Sequence, residues 1–290
     1  MGGENHFAPE SRVTMTFDEL RYQFADMTQL ARGGQKVVWQ ASHPQYGQVV
    51  LKLYFSIDAR AKREIEISQT VKLDRVPCIY ETGTVVYEGQ DTLYVVEQFV
   101  AGTPLRSFLN NGDRFDIRVA VAFLEQGFDF VRQLEQHQIV HRDIKPENLI
   151  ITQDRRVYFL DFGIARMLDR QSLTQSDAAF GPHTPGYSAP EQFNNLKRDI
   201  DSRADLFSLG VVTYECVTGK NPFRENAASA LDVLQRTATV TPVSYHIPGD
   251  DQHLFMGLLS SLMGKSPSMR PKDATQAVNW LNAVKPTLHF

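Results

Sequence analysis

Cysteine is scarce in this chain: Cys78 and Cys216 are the only two among 290 residues. Two cysteines do not make the disulfide framework of a small secreted domain, so a reducing compartment is the simpler reading. Long apolar runs are missing too. No stretch reaches the roughly 20 apolar residues that a membrane helix needs, although hydrophobic residues make up 42% of the chain. The opening segment, Met1 to Arg12, is polar and carries Gly2, Gly3 and Pro9, so it lacks the apolar core of a signal peptide. His6 breaks the myristoylation pattern that Gly2 would begin. Positive charge is not in excess: the net charge of -4 argues against nucleic acid as the main partner. The histidines show no metal-ligand spacing. These absences point to a cytoplasmic globular protein of one large or two small domains with no membrane segment.

What is present divides the chain. Residues 1–14 read as a flexible leader. From 17 to 99 short β-rich runs dominate, at 37–41, 49–54, 82–87 and 92–96, each with β-branched or aromatic residues. His43-Pro44-Gln45-Tyr46-Gly47 and Glu88-Gly89-Gln90-Asp91 supply turns. A charged segment at 58–72 has helical character. Past Gly102 the period changes. Ile117, Val121, Leu124, Phe128, Val131 and Leu134 recur at helical spacing between Asp116 and Gln138, with Gly127 a small cost. Further helices are predicted at 204–217, 227–237, 252–263 and 273–284. Strands first and helices second predict an α+β fold of two lobes, a small antiparallel sheet lobe at 15–97 and a helix-rich large lobe at 98–290. Cys78 and Cys216 read as small buried hydrophobes.

The chemistry-bearing residues cluster after the long helix. His141-Arg142-Asp143-Ile144-Lys145-Pro146-Glu147-Asn148 precedes the β-like Leu149-Ile150-Ile151, and Asp161-Phe162-Gly163 follows the apolar Val157-Tyr158-Phe159-Leu160. Either motif alone means little; the two in this order resemble the catalytic loop and metal-binding segment of eukaryotic-type Ser/Thr protein kinases, in a bacterial-like form. The resemblance implies transfer of the γ-phosphate of ATP to protein Ser/Thr hydroxyls. That reaction needs a carboxylate at the attacking hydroxyl and cations across the phosphates. It implies Asp143 as the base, Lys145 as the cation beside the moving phosphoryl group, and Asn148 and Asp161 as ligands of Mg²⁺, or of Mn²⁺ in its place.

The resemblance also reaches back into the strand-rich part. Val49-Val50-Leu51-Lys52 is similar to the family's third strand, with Lys52 reaching the α- and β-phosphates. Its implied partner is a helix glutamate, where Glu64 and Glu66 compete and Glu64 fits the register better. Leu30-Ala31-Arg32-Gly33-Gly34-Gln35-Lys36-Val37-Val38 resembles the phosphate loop, but Ala31 and Lys36 stand where the family has glycine, and a plain hairpin turn is the alternative. The implied nucleotide site takes in Leu30, Gly33, Gly34, Val38, Val50, Lys52, Ile150 and the backbone of Gln98-Phe99-Val100. Glu97 falls either behind the adenine, where a buried carboxylate needs a partner such as Lys52, or one register further on, at the hinge.

Ser188-Ala189-Pro190-Glu191 resembles the end of the family's activation segment, and Thr184 the threonine that steadies the base loop. Ser172, Thr174 and Ser176 are candidate phosphosites. The resemblance pairs Arg270 with Glu191 and makes Asp205 the anchor of the catalytic loop. It implies a protein substrate, with a homodimer as the route to autophosphorylation. The rival reading is a pseudokinase or regulatory scaffold, supported by Ala31, Lys36 and Glu97. A small-molecule kinase on the same fold fits Ala189-Pro190-Glu191 and Arg270 less well.

Overall fold

A computed structural model of the protein describes residues 15–34, 36–55, 65, 71–161, 184–193 and 200–290, and the backbone of 166–167. The chain forms two compact units, one within 1–61 and 78–99 and the other within 62–77 and 100–290.

The first unit is an antiparallel five-stranded sheet of order β1-β2-β3-β5-β4. Its strands are β1 (Ala25–Arg32), β2 (Lys36–His43), β3 (Gly47–Tyr54), β4 (Ile79–Tyr87) and β5 (Gln90–Gln98). Alternation decides which side chains share a face. Val37, Trp39, Ala41, Val49, Leu51, Leu53, Val85, Tyr94 and Val96 line one face and build its core. The short helix α1 (Phe17–Arg21) closes that core with Leu20, which is fully buried. A capping box starts α1: Glu19 N donates to Thr16 Oγ1 at 3.3 Å, and Thr16 N donates to Glu19 Oε2 at 2.6 Å. Neither α1 nor β1 stands out as a periodic segment. The helix is too short, and nearly every residue of β1 is exposed.

In the second unit, α2 (Leu105–Asn110) leads to the long α3 (Ile117–Gln136), capped by Asp116, whose Oδ1 accepts from Val119 N at 2.8 Å. Every apolar residue of the α3 stripe named above is buried. Gly127 has a packing reason: a Cβ there would lie 2.8 Å from a Leu209 methyl. Leu209 belongs to α5 (Arg203–Thr218), which is buried from Ala204 to Cys216 and forms the centre of this unit. The short α4 (Pro190–Phe193) precedes it; α6 (Ala230–Thr239), α7 (Leu254–Leu262) and α8 (Ala274–Val284) follow. The predicted start at 227 gives way to 230 because Ser229 caps α6, accepting from Asp232 N at 3.1 Å. The predicted start at 252 gives way to 254 because His253 has a left-handed φ of 56. Two small sheets carry the connections around the site, one of β6 (Thr103–Pro104), β8 (Leu149–Ile151) and β9 (Val157–Phe159), the other of β7 (Ile139–Val140) and β10 (Arg166–Met167). The helix predicted at 58–72 lies mostly outside the described residues. Cys216 is buried, but Cys78 is exposed, contrary to the reading of both as core. Residue 78 opens onto β4, and its backbone does the work: Gln98 N donates to Cys78 O at 2.8 Å.

Candidate active site

The loop 141–148 hangs from α5. Asp205 is fully buried and accepts from the backbone N–H of His141 and of Arg142, both at 2.8 Å. Burial pushes its carboxyl up to about 7, against the pull of those two bonds. From the other side, Gln192 Nε2 donates to Arg142 O at 2.8 Å. His141 is buried, which lowers its pKa, while the carboxylates of Asp143 and Asp161 both pull it the other way. Arg142 and Asp161 have left-handed φ values of 71 and 65. Each costs roughly 1–3 kcal/mol for a residue with a side chain, so the surrounding contacts hold both bends.

Asp143 is the hub. Its Oδ1 accepts from Thr184 Oγ1 at 2.7 Å. Its Oδ2 accepts from Lys145 Nζ at 2.7 Å and Asn148 Nδ2 at 2.9 Å. Lys145 Nζ also donates to Thr184 Oγ1 at 3.1 Å, closing a ring of contacts. The side chains of Asp143 and Lys145 are 13% and 20% exposed, so the pair is shielded yet reachable. Local chain geometry explains the gathering: Pro146–Asn148 forms a 3-10 turn that brings Asn148 back to the Asp143 carbonyl, where Nδ2 donates at 3.0 Å.

Asn148 and Asp161 sit at one end of the β8–β9 hairpin. Leu149 pairs with Phe159, and Leu160 N donates to Asn148 O at 2.8 Å. Asn148 spends its amide N–H groups on Asp143, which leaves Oδ1 as an acceptor. An amide oxygen and a carboxylate are the donors a hard divalent cation takes. Ile150 is half-buried in β8, opposite Tyr158.

In the sheet unit, Lys52 is buried and its Nζ lies 2.9 Å from Glu97 Oε2. Glu97 is inside β5, opposite Val50, so it belongs to the sheet rather than to a hinge. Val38 and Val50 are half-buried on the same face as Lys52, and Leu30 is 52% exposed in β1. A Cβ on Gly33 or Gly34 would meet nothing within 4 Å. Lys36 is a strand residue opposite Tyr54, with Nζ 5.4 Å from that ring. Gln98 ends β5, and Phe99 and Val100 follow it. Glu64, Glu66, Ser172, Thr174, Ser176, Phe162 and Gly163 lie outside the described residues.

The segment from 184 onward is tied to the helices. Thr184 N donates to Ser188 Oγ at 2.8 Å, and Ser208 Oγ of α5 donates to Tyr187 O at 2.9 Å. Glu191 takes both terminal nitrogens of Arg270, at 2.6 and 2.9 Å. One network was not foreseen. Arg106 of α2 donates to Glu147 at 2.8 Å and to Glu215 at 2.9 Å, and it also bonds the Tyr187 hydroxyl, which donates in turn to Glu215. Arg224 lies over the Tyr187 ring at 4.5 Å. Only the Glu147 position, inside the loop motif, hinted at it. Arg106 and Glu215 lie 109 residues apart, beyond any spacing rule.

The protein kinase domain family matches residues 25–281. Serine/threonine-protein kinase PknA of Mycobacterium tuberculosis (strain ATCC 25618 / H37Rv) is 31% identical over 265 residues, covering 88% of this chain and 60% of that protein. PknH of the same strain is 33% identical over 253 residues, covering 84% of this chain and 39% of its own length. A probable serine/threonine-protein kinase of Streptomyces coelicolor is 32% identical over 214 residues, covering 70% of this chain and 31% of its own length. The chain therefore spans less than two thirds of these curated relatives.

Proposed function

The chain belongs to the protein kinase domain family, and from that premise we propose that it is an ATP-dependent Ser/Thr protein kinase. The reading rests on one observation: the Asp143 carboxylate already accepts from a threonine hydroxyl while Lys145 and Asn148 hold its other oxygen. A substrate serine or threonine would present the same donor to that carboxylate, which orients the hydroxyl for attack. Lys145 faces the charge that builds on the transferring phosphoryl group. Asn148 Oδ1 and the Asp161 carboxylate would hold Mg²⁺, which supplies charge neutralisation across the phosphate oxygens. Lys52 meets the α- and β-phosphates. Within the sheet unit, Leu30, Val38 and Val50 are the side chains we assign to the adenine, with the backbone of 98–99, where the Gln98 N–H is already given to Cys78 O. Gly33 and Gly34 allow close approach of backbone to phosphate.

No helix among the described residues is long and apolar enough to cross a membrane, and we place this domain in the cytoplasm, with ATP. Ser172, Thr174 and Ser176 are the proposed phosphosites, modified by a second copy. A scaffold that only binds a partner has no chemical need for the ring of contacts around Asp143.

The test is phosphosite mapping after incubation with Mg-ATP and a generic protein substrate. Asp143→Asn should lower Ser/Thr labelling by about 10²–10⁴-fold with its melting temperature little changed. Equal labelling of both proteins, or label on neither, overturns the proposal.

A further inference from the structure

Two neighbouring strands carry opposite charges into one buried place. β3 and β5 pair with Val50 opposite Glu97 and Lys52 opposite Val95. Residues two apart on a strand share a face, so Lys52 and Glu97 are diagonal neighbours, and their side chains are only 8% and 9% exposed. Val38, Val50 and Val95 are their apolar neighbours within the sheet on that face. A buried charge is strongly disfavoured unless it is paired, and this contact gives each of the two a partner of opposite sign. The ladder hydrogen bonds fix both Cα positions, and the 2.9 Å contact needs no approach by a separate helix.

We infer that Glu97 is the positioning residue for Lys52: a strand-borne carboxylate holds the ammonium charged and aimed, a task that the family resemblance gives to a helix glutamate, Glu64. The inference deepens the kinase reading and takes its functional consequence from it. Lys52 serves nucleotide phosphates as a cation. A buried lysine that loses its carboxylate partner sheds its proton more readily.

Only the neutral amine acylates, so Lys52 reports its own partner. The full chain, without nucleotide, is treated with an N-hydroxysuccinimide acetate ester at neutral pH, and Lys52 acetylation is followed by peptide mass spectrometry. Glu97→Gln should label roughly tenfold faster than wild type, the equivalent of about one unit of pKa, and Glu64→Gln should rise by less. In steady-state phosphorylation, Glu97→Gln should lower kcat/KM for ATP by about tenfold, mainly through KM. Glu97→Asp, which keeps the charge, should recover part of both effects. A wild-type labelling rate in Glu97→Gln, or a larger rise in Glu64→Gln, overturns the inference. If Glu97→Gln has no melting transition, Glu97→Asp decides by the same labelling: an intermediate rate supports the pair and an unchanged one rejects it. A wild-type protein that transfers no phosphate sinks the kinase reading, while the labelling still reports which carboxylate holds Lys52.

Discussion

The helical unit and the sheet unit each contain a buried ion pair, and the two are built differently. In the helical unit Arg270 grips Glu191 with both terminal nitrogens, gives Nε to Gly264 O at 2.7 Å, and lies over the Phe207 ring at 4.8 Å. The guanidinium is 0% exposed and its partner 3%. A guanidinium keeps its charge at any working pH and offers a rigid fork, so this pair behaves as a fixed joint between 191 and the loop before α8. In the sheet unit Lys52 presents a compact ammonium on a flexible stem to Glu97. An ammonium can release its proton when its partner is lost. One pair is a permanent clamp; the other can lose its charge.

Stability measurements can break that contrast. Glu191→Gln should cost about 3–5 kcal/mol, because Arg270 is left buried and charged; urea midpoints would read it. Glu97→Gln should cost less, about 1–3 kcal/mol, since Lys52 can neutralise. Equal losses at the two sites would erase the distinction.

Asp205 offers an intermediate case within the helical unit. Asp205→Ala orphans the N–H groups of His141 and Arg142, at about 1–3 kcal/mol each. It should also lower phosphotransfer by loosening the loop that carries Asp143. A variant that keeps full activity would show that Gln192 alone holds the loop. The pH dependence sharpens this. Folding raises the Asp205 carboxyl from 3.8 to about 7. Its contribution to stability is therefore complete below the unfolded value and is lost as pH rises through about 7. Asp205→Asn should flatten that decline in a series of denaturation midpoints taken across the window. The smallest effect belongs to the sheet unit. Thr16→Ala removes the α1 cap and should cost about 1 kcal/mol by thermal melting. A larger loss would mean that Leu20 leaves the core with the cap.

How far could these features be read beforehand? The β3 run Val49-Val50-Leu51-Lys52-Leu53-Tyr54 alternates between two faces, and its strand was plain from β-branched content. The α3 stripe was equally legible, because an amphipathic helix repeats its apolar residues at a fixed period. α5 was harder, since a helix buried all round has no polar face to set its phase. Helix starts shifted by two or three residues where Ser229 and the left-handed His253 decided them. β1 lacked any burial pattern and became a strand only by pairing with β2. Glu97 could be read in two registers until the β3–β5 ladder placed it in the sheet beside Lys52.

Sequence alone determined which chemical groups this protein owns: Asp143, Lys145 and Asn148 lie within six residues of one another, and their spacing survives any fold. It also determined the order of strands before helices, because periodicity is a local property. Tertiary structure decided which groups meet. Arg106 with Glu215, Arg270 with Glu191 and Lys52 with Glu97 are pairings across 109, 79 and 45 residues of chain. Proximity at such separation comes from paired strands and packed helices; no local pattern of residues encodes it, and only the family resemblance had joined Arg270 to Glu191 and offered Lys52 to Glu97.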